Sequence, residues 1–244
     1  MRAIAVIPAR LDSTRLPRKM LREIFGRPLI AWTYHAVRRS PLLHEVLVAT
    51  DSETIMQTCD RLQIPAEMTS VSHRSGTERV HEISNRHAAD VYINVQGDEP
   101  LIRPEHVACL LELMDNPAVQ VATLETPAAN QDIADENAVK VVRDLSGRAL
   151  YFSRAKIPYD RDAARPGYFK HLGIYGYRKS ALDRFCALPE SILERTERLE
   201  QLRFLENGIP IQIAETPFDT VGVDTEKDLR RVEEILRREV NQPG

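Results

Sequence analysis

An unbroken apolar run, Ile4 to Ile7, stands near the head of the chain and gives way to a mostly polar stretch, Pro8 to Lys19. A short apolar run bounded by turn residues predicts a buried strand opening into a loop. Leu29, Trp32, Thr33, Ala36 and Val37 then keep helical spacing behind Pro28, which suits a first helical position. Val46 to Thr50 predicts a second strand, and Ser52 a cap for a helix with Ile55, Cys59 and Leu62 on one face. Ala66 to Met68 predicts a short strand leading into SHRSGTERV, a turn-rich loop that opens another helix. Val91 to Val95 runs into Gln96-Gly97-Asp98-Glu99-Pro100, and a helix starts near Pro104 with Val107, Leu110, Leu111 and Met114 inward. This βαβα rhythm predicts an α/β fold with a doubly wound, mostly parallel central sheet. Right-handed crossovers bring its strand-exit loops to one edge.

Past residue 120 the pattern changes. Val121 to Glu125, Ala138 to Arg143 and Ala149 to Ser153 read as strands joined by short turns such as Asp144-Leu145-Ser146-Gly147, which predicts an antiparallel subdomain. The run PYDRDAARPG reads as a surface loop. Phe169 to Tyr177 returns as a strand with alternating aromatics, one helix is predicted from Ser191 to Glu206 with Gly208 as its stop, and Ile209 to Ala214 as another strand. Thr225 opens a last charged helix with Asp228 as its capping-box partner. The expected organisation is a single domain: about 1–120 for a nucleotide, about 121–215 for a second substrate and dimerisation, and about 216–244 as a closing strand and helix.

Composition narrows the function classes. A formal net charge of −3 shows no global footprint for nucleic acid, yet residues 1–40 hold nine Lys or Arg against only Asp12 and Glu23. Such a focused excess fits a small anionic ligand. Cys59, Cys109 and Cys186 are widely spaced and read as small core residues in a reducing compartment. The first residues are interrupted by charge too soon for a signal peptide, and no apolar run is long enough to insert in a membrane, so the expected location is cytoplasmic.

The loop after the first strand carries Arg10, Ser13, Thr14, Arg15, Arg18 and Lys19, a donor set suited to a polyphosphate, although basic loops are often only solvated surface. GxGxxG and GxxxxGK[ST] are both missing, which disfavours a Rossmann dehydrogenase and a P-loop enzyme. Asp98 leaves a buried strand where a carboxylate can hold Mg²⁺, or else caps a turn before Pro100. Asp224 could join it, or merely help Thr225 cap a helix. If both reach one metal, phosphoryl-group chemistry needs no protein nucleophile. Arg74, Ser75 and Gly76 suit a base or ribose, with helix capping the competing role for Ser75 and Thr77. Gln96, Arg154, His171, Tyr175, Glu200 and Gln201 are candidate polar contacts, although a lone histidine in a strand, such as His171, is more often structural.

Together ViPARxxSTRLPxK, ATD, HxSGTER, NVQGDEP, NaVKVV, ALYFSRAxIPyDRD, HLGIYGYR, LEQLR and GVDTxeDL resemble the 3-deoxy-manno-octulosonate (Kdo) cytidylyltransferase family, from Ala3 to about Leu236. The resemblance implies a nucleotide-diphospho-sugar transferase type of fold, a homodimer, and transfer of CMP from CTP to Kdo with Mg²⁺ for lipopolysaccharide biosynthesis. It places Arg10, Ser13, Thr14, Arg15 and Lys19 on the triphosphate and Arg74, Ser75 and Gly76 near the cytidine. It assigns Asp98 and Asp224 to the metal, and Gln96, Arg154, His171, Tyr175, Glu200 and Gln201 to the sugar. Arg10, Arg15, Lys19, Asp98 and Asp224 are the expected catalytic set.

Two departures stand out. Arg18 occupies the place of the family's glycine in LPGK, so either a positive φ costs of order 1 kcal/mol or the loop takes another path. Tyr159 stands where tryptophan is common, beside a short DRDAARPGYF loop. Rival readings are a synthetase for an amino-Kdo or another ulosonic acid, and a non-catalytic nucleotide-binding regulator.

Overall fold

The computed structural model describes residues 1–13, 15–162, 164 and 167–241. The chain is an α/β protein with a mixed, mostly parallel sheet and accompanying helices, as the periodicity predicts. It divides into two compact units: one of Arg2–Ala88, Asn94–Glu105 and Thr220–Gly244, the other of Ala89–Ile93 and His106–Asp219 with Met1.

In the first unit, β1 (Ala3–Ala9) is buried throughout, as its apolar sequence requires. After the loop and a single 3₁₀ turn, β2 (Glu23–Ile24) and β3 (Arg27–Pro28) form a small hairpin. Its corner, Phe25-Gly26, has φ of 52° and 73°, the left-handed pair that a two-residue hairpin turn needs. Helix α1 (Leu29–Arg38) follows, buried on Leu29, Ile30, Thr33, Tyr34 and Val37. Strand β4 (Glu45–Thr50) pairs in parallel with β1, and β5 (Ala66–Met68) with β4. Between them α2 (Glu53–Arg61) is capped by Ser52, whose hydroxyl accepts from Ile55 N–H. Leu62, expected on its buried face, is instead the exposed residue that ends the helix. Helix α3 (Gly76–Ser84) packs on β1 and β4.

The second unit contains the start of β6 (Val91–Val95), most of α4 (Pro104–Met114), β7 (Val121–Pro127), α5 (Asn130–Ala134), and the hairpin of β8 (Lys140–Arg143) and β9 (Ala149–Ser153). Gly147 turns that hairpin at φ 78°. Strand β10 (Phe169–Tyr177) lies antiparallel to β7 and β8, so its aromatic side chains Tyr175 and Tyr177 are used inside the unit. Helix α6 (Lys179–Ala187) follows.

The long helix expected from Ser191 to Glu206 is two short ones, α7 (Ile192–Glu197) and α8 (Leu202–Glu206). Arg198 breaks them at φ 54°, and Glu194, accepting from Arg203 at 2.6 and 2.7 Å, ties one helix to the other. The strand expected from Ile209 begins only at β11 (Gln212–Glu215), which runs parallel to β7. Pro210 lacks the donor a ladder requires, and Ile209 and Ile211 are buried without joining it. Segment 216–225 carries no strand, and a helix, Glu226–Asn241, follows it. Only Cys59 is fully in a core; Cys109 and Cys186 are half-buried, and none of the three forms a disulfide. No helix among the described residues is long and apolar enough to cross a membrane.

Candidate active site

The first loop and the segment before the last helix are joined by a shared apolar cluster. Leu16 from the loop, Ile24 and Leu29 beside the hairpin, and Val223, Leu229, Val232 and Leu236 pack together in the first unit. Burial of side chains of this size is worth roughly 1.5–3 kcal/mol each, ample to hold two surface segments in register. The Thr225 and Asp228 side chains cap the helix reciprocally, Thr225 N–H donating to Asp228 at 2.8 Å and Asp228 N–H to Thr225 Oγ1 at 3.3 Å. Val223 N–H donates to Asp98 C=O at 2.9 Å, so the two acidic loops are tied through their backbones.

This packing sets Lys19 against both carboxylates. Its ammonium donates to Asp98 and, at 2.9 Å, to Asp224, whose other oxygen accepts from Arg15 at 2.8 Å. Burial by itself would push the Lys19 pKa down; the two carboxylates more than offset it and hold the ammonium above the ordinary lysine range. Burial likewise opposes the charge on Asp224, but Lys19 and Arg15 keep that carboxyl below its usual value. Arg18 resolves the departure noted in the sequence by adopting φ 53° and ψ 37°, the left-handed conformation a glycine takes without strain. The chain enters Lys19 through this left-handed residue.

These groups line a cleft of about 290 Å³ in the first unit. Arg10, Ser13, Arg15, Lys19, Arg74, Ser75, Gly76, Gln96, Asp98 and Asp224, all expected from the sequence, are brought together there. Thr14 lies outside the described residues. Arg10 and Arg74 have side chains with no hydrogen-bond or ion-pair partner among the described residues, whereas the Ser75 hydroxyl caps α3, accepting from Glu78 N–H at 3.2 Å. Gly97 is a contact position: an added Cβ would lie 2.9 Å from Met20 Sδ and 3.0 Å from Pro8 O. Thr33 fixes that turn by donating to Gly97 C=O at 2.8 Å.

The remaining expected residues belong to the second unit. The His171 ring lies 5.3 Å from Tyr175 and 5.0 Å from Phe152, with Nε2 3.0 Å from Thr123 Oγ1. The Thr123 hydroxyl donates to Ile174 C=O at 2.8 Å, so it accepts from His171 Nε2–H and leaves Nδ1 as an acceptor. Burial pushes the imidazole pKa down to about 3. Burial pushes the Tyr175 phenol well up, with Tyr177 and Glu200 adding to it. Glu200 and Gln201 fall in the break between α7 and α8, and the buried Gln201 Nε2 has no partner among the described residues. Arg154 donates through Nε to Glu197 C=O at 2.8 Å and through Nη1 to Glu136 C=O at 2.9 Å.

Sequence reasoning missed several supporting residues. His73, Arg79 and Asp12 also line the cleft, and Arg79 donates to Asp51 at 2.6 Å and Thr69 at 2.8 Å. Lys140, fully buried, donates to the carbonyls of Asp135, Ala138 and Arg154 at 2.5 to 2.7 Å. A charged residue inside the apolar NAVKVV strand was the available signal for it.

The family model described as cytidylyltransferase matches residues 4–214. The 3-deoxy-manno-octulosonate cytidylyltransferase of Koribacter versatilis is 64% identical over 97% of this chain and 91% of its own. That of Acidobacterium capsulatum is 56% identical over 97% of each chain. Among solved structures, CMP:2-keto-3-deoxy-manno-octonic acid synthetase complexed with CTP superposes with a TM-score of 0.93 at 44% identity, covering 98% of this chain and 100% of the other. The chain belongs to the cytidylyltransferase family, among the 3-deoxy-manno-octulosonate cytidylyltransferases.

Proposed function

We propose that this chain transfers CMP from CTP to Kdo and releases pyrophosphate. The observation that carries the reading is the convergence of Lys19, Asp98 and Asp224 in a cleft where Arg10 and Arg74 stand without partners among the described residues. A triphosphate is the ligand that such a cluster of cations around a carboxylate pair suits best.

Two carboxylates converging on one ammonium fit Mg²⁺, which takes one or two protein carboxylates and completes its shell with phosphate oxygens and water. Asp98 and Asp224 would hold it, and when bound it supplies Lewis-acid neutralisation of phosphate charge. Arg10 and Arg15 grip the triphosphate. Lys19, kept protonated by its carboxylate neighbours, provides a fixed positive charge where negative charge builds as pyrophosphate departs. The sugar's anomeric hydroxyl attacks the α-phosphorus in line, forming one P–O bond as the bond to pyrophosphate breaks.

Gln96, Arg154, His171, Tyr175, Glu200 and Gln201 are assigned to the sugar. His171 stays neutral at working pH and offers an acceptor at Nδ1, so Arg154 is the residue left to answer the sugar carboxylate. The resemblance also supports a cytoplasmic homodimer feeding lipopolysaccharide assembly; a monomeric mass at micromolar concentration would count against the dimer. Incubation with CTP, Mg²⁺ and equal Kdo and amino-Kdo tests the substrate. CMP-Kdo should dominate the products, and preferential consumption of the amino sugar would replace Kdo in this reading.

A further inference from the structure

The cleft residues His73 and Arg74 sit on a segment, Thr69 to Ser75, that has no strand or helix of its own and is held by side chains of α3. Arg79 donates to Ser70 C=O at 3.2 Å, and Glu78 accepts from Arg74 N–H at 2.7 Å. Glu82, one turn beyond Glu78 on the same helix face, accepts from Ser70 N–H at 2.9 Å and from His73 Nε2 at 2.5 Å. Ser70 is thus gripped at both its carbonyl and its amide, and the His73 ring is steered at the cleft wall.

We propose that Glu82 is a positioning residue for the nucleotide: it does not line the cleft itself, and through its bonds to Ser70 and His73 it sets the segment that presents His73 and Arg74. The proposal rests on reading the cleft as the CTP site. Burial by itself would raise the Glu82 carboxyl's pKa, but the Ser70 amide, His73 and Arg86 hold it below the ordinary range, so it accepts as a carboxylate. On the outer side Arg86 donates to Glu82 and, at 3.1 Å, to Glu67. Glu67 also pairs with His87, which makes it a member of the same charge network with no bond to the segment.

Glu82→Gln keeps the side chain's size and weakens its three bonds, two to the segment and one to Arg86. It should raise KM for CTP about tenfold, leave kcat and KM for Kdo within about twofold, and speed amide exchange at Ser70 to Arg74 in the free protein. Glu67→Gln should change none of these. A general structural role would instead move kcat and both KM values together. If the wild-type chain fails to bind CTP in calorimetry, the nucleotide reading falls, and the exchange data still report whether Glu82 holds the segment. If wild type binds CTP and the variant binds it equally well, the positioning role is overturned. Should Glu82→Gln not fold, Glu82→Asp, which retains the charge one methylene shorter, should give an intermediate KM, and an unchanged KM would likewise refute the role.

Discussion

The Lys19 ammonium stands 2.9 Å from Asp224 and donates to Asp98 as well, so a protein cation bridges the two carboxylates assigned to Mg²⁺. A cation on the loop and a metal on the carboxylates therefore draw on the same negative charge. Lys19→Met should lower kcat by about a hundredfold or more, since it removes a fixed charge at the departing pyrophosphate. The same variant should bind Mg²⁺ alone more tightly than wild type in calorimetry. Equal Mg²⁺ affinity in the two proteins would show that the ammonium does not compete with the metal.

Arg18 holds a left-handed backbone at the entry to Lys19. Replacing it with glycine removes strain of about 1 kcal/mol but adds freedom to the unfolded chain, so Arg18→Gly should be neutral or stabilising by less than about 1 kcal/mol. Arg18→Val, β-branched in the same conformation, should cost about 1–2 kcal/mol. Urea unfolding gives both numbers, and an unchanged midpoint for the valine variant would mean that the loop can leave this path freely.

The buried imidazole of His171 makes folding sensitive to acid. Its folded pKa of about 3 lies below the ordinary 6.5, so the unfolded chain takes up the proton first as pH falls. The stability it lends is complete above pH 6.5 and declines below it, by about 2 kcal/mol at pH 5. His171→Gln should flatten the dependence of unfolding free energy on pH between 7 and 5. Parallel curves for the two proteins would assign the acid sensitivity to other groups.

Particular residues show what a linear reading can and cannot see. Ile4 to Ile7, Val46 to Thr50 and Val91 to Val95 are apolar runs with turn residues behind them, and each is a strand because burial on both faces leaves no other use for such a run. The cleft was legible for the same reason: polar residues at strand exits converge in a parallel fold. The break at Arg198 was not legible, because neither glycine nor proline marks it and the helical period runs on; the buried Glu194–Arg203 pair holds it, and no local propensity encodes that contact. Glu82 was equally hidden. Its partners, Ser70 and His73, lie twelve and nine residues back on an irregular segment, where no periodicity relates them.

Asp98 separates binding from turnover. Asp98→Asn should retain CTP affinity within about tenfold while turnover falls by orders of magnitude, because charge at this position matters most as pyrophosphate leaves. Near-normal activity would remove Asp98 from the metal set.

CTP cleavage that depends on a sugar-acid acceptor is the core of the proposed function. Pyrophosphate release from CTP, followed continuously with Kdo and Mg²⁺ supplied together and each withheld in turn, tests it most directly. Release only when both are present is the predicted result; CTP bound without pyrophosphate release under any of these conditions, or released equally without Kdo, would contradict it.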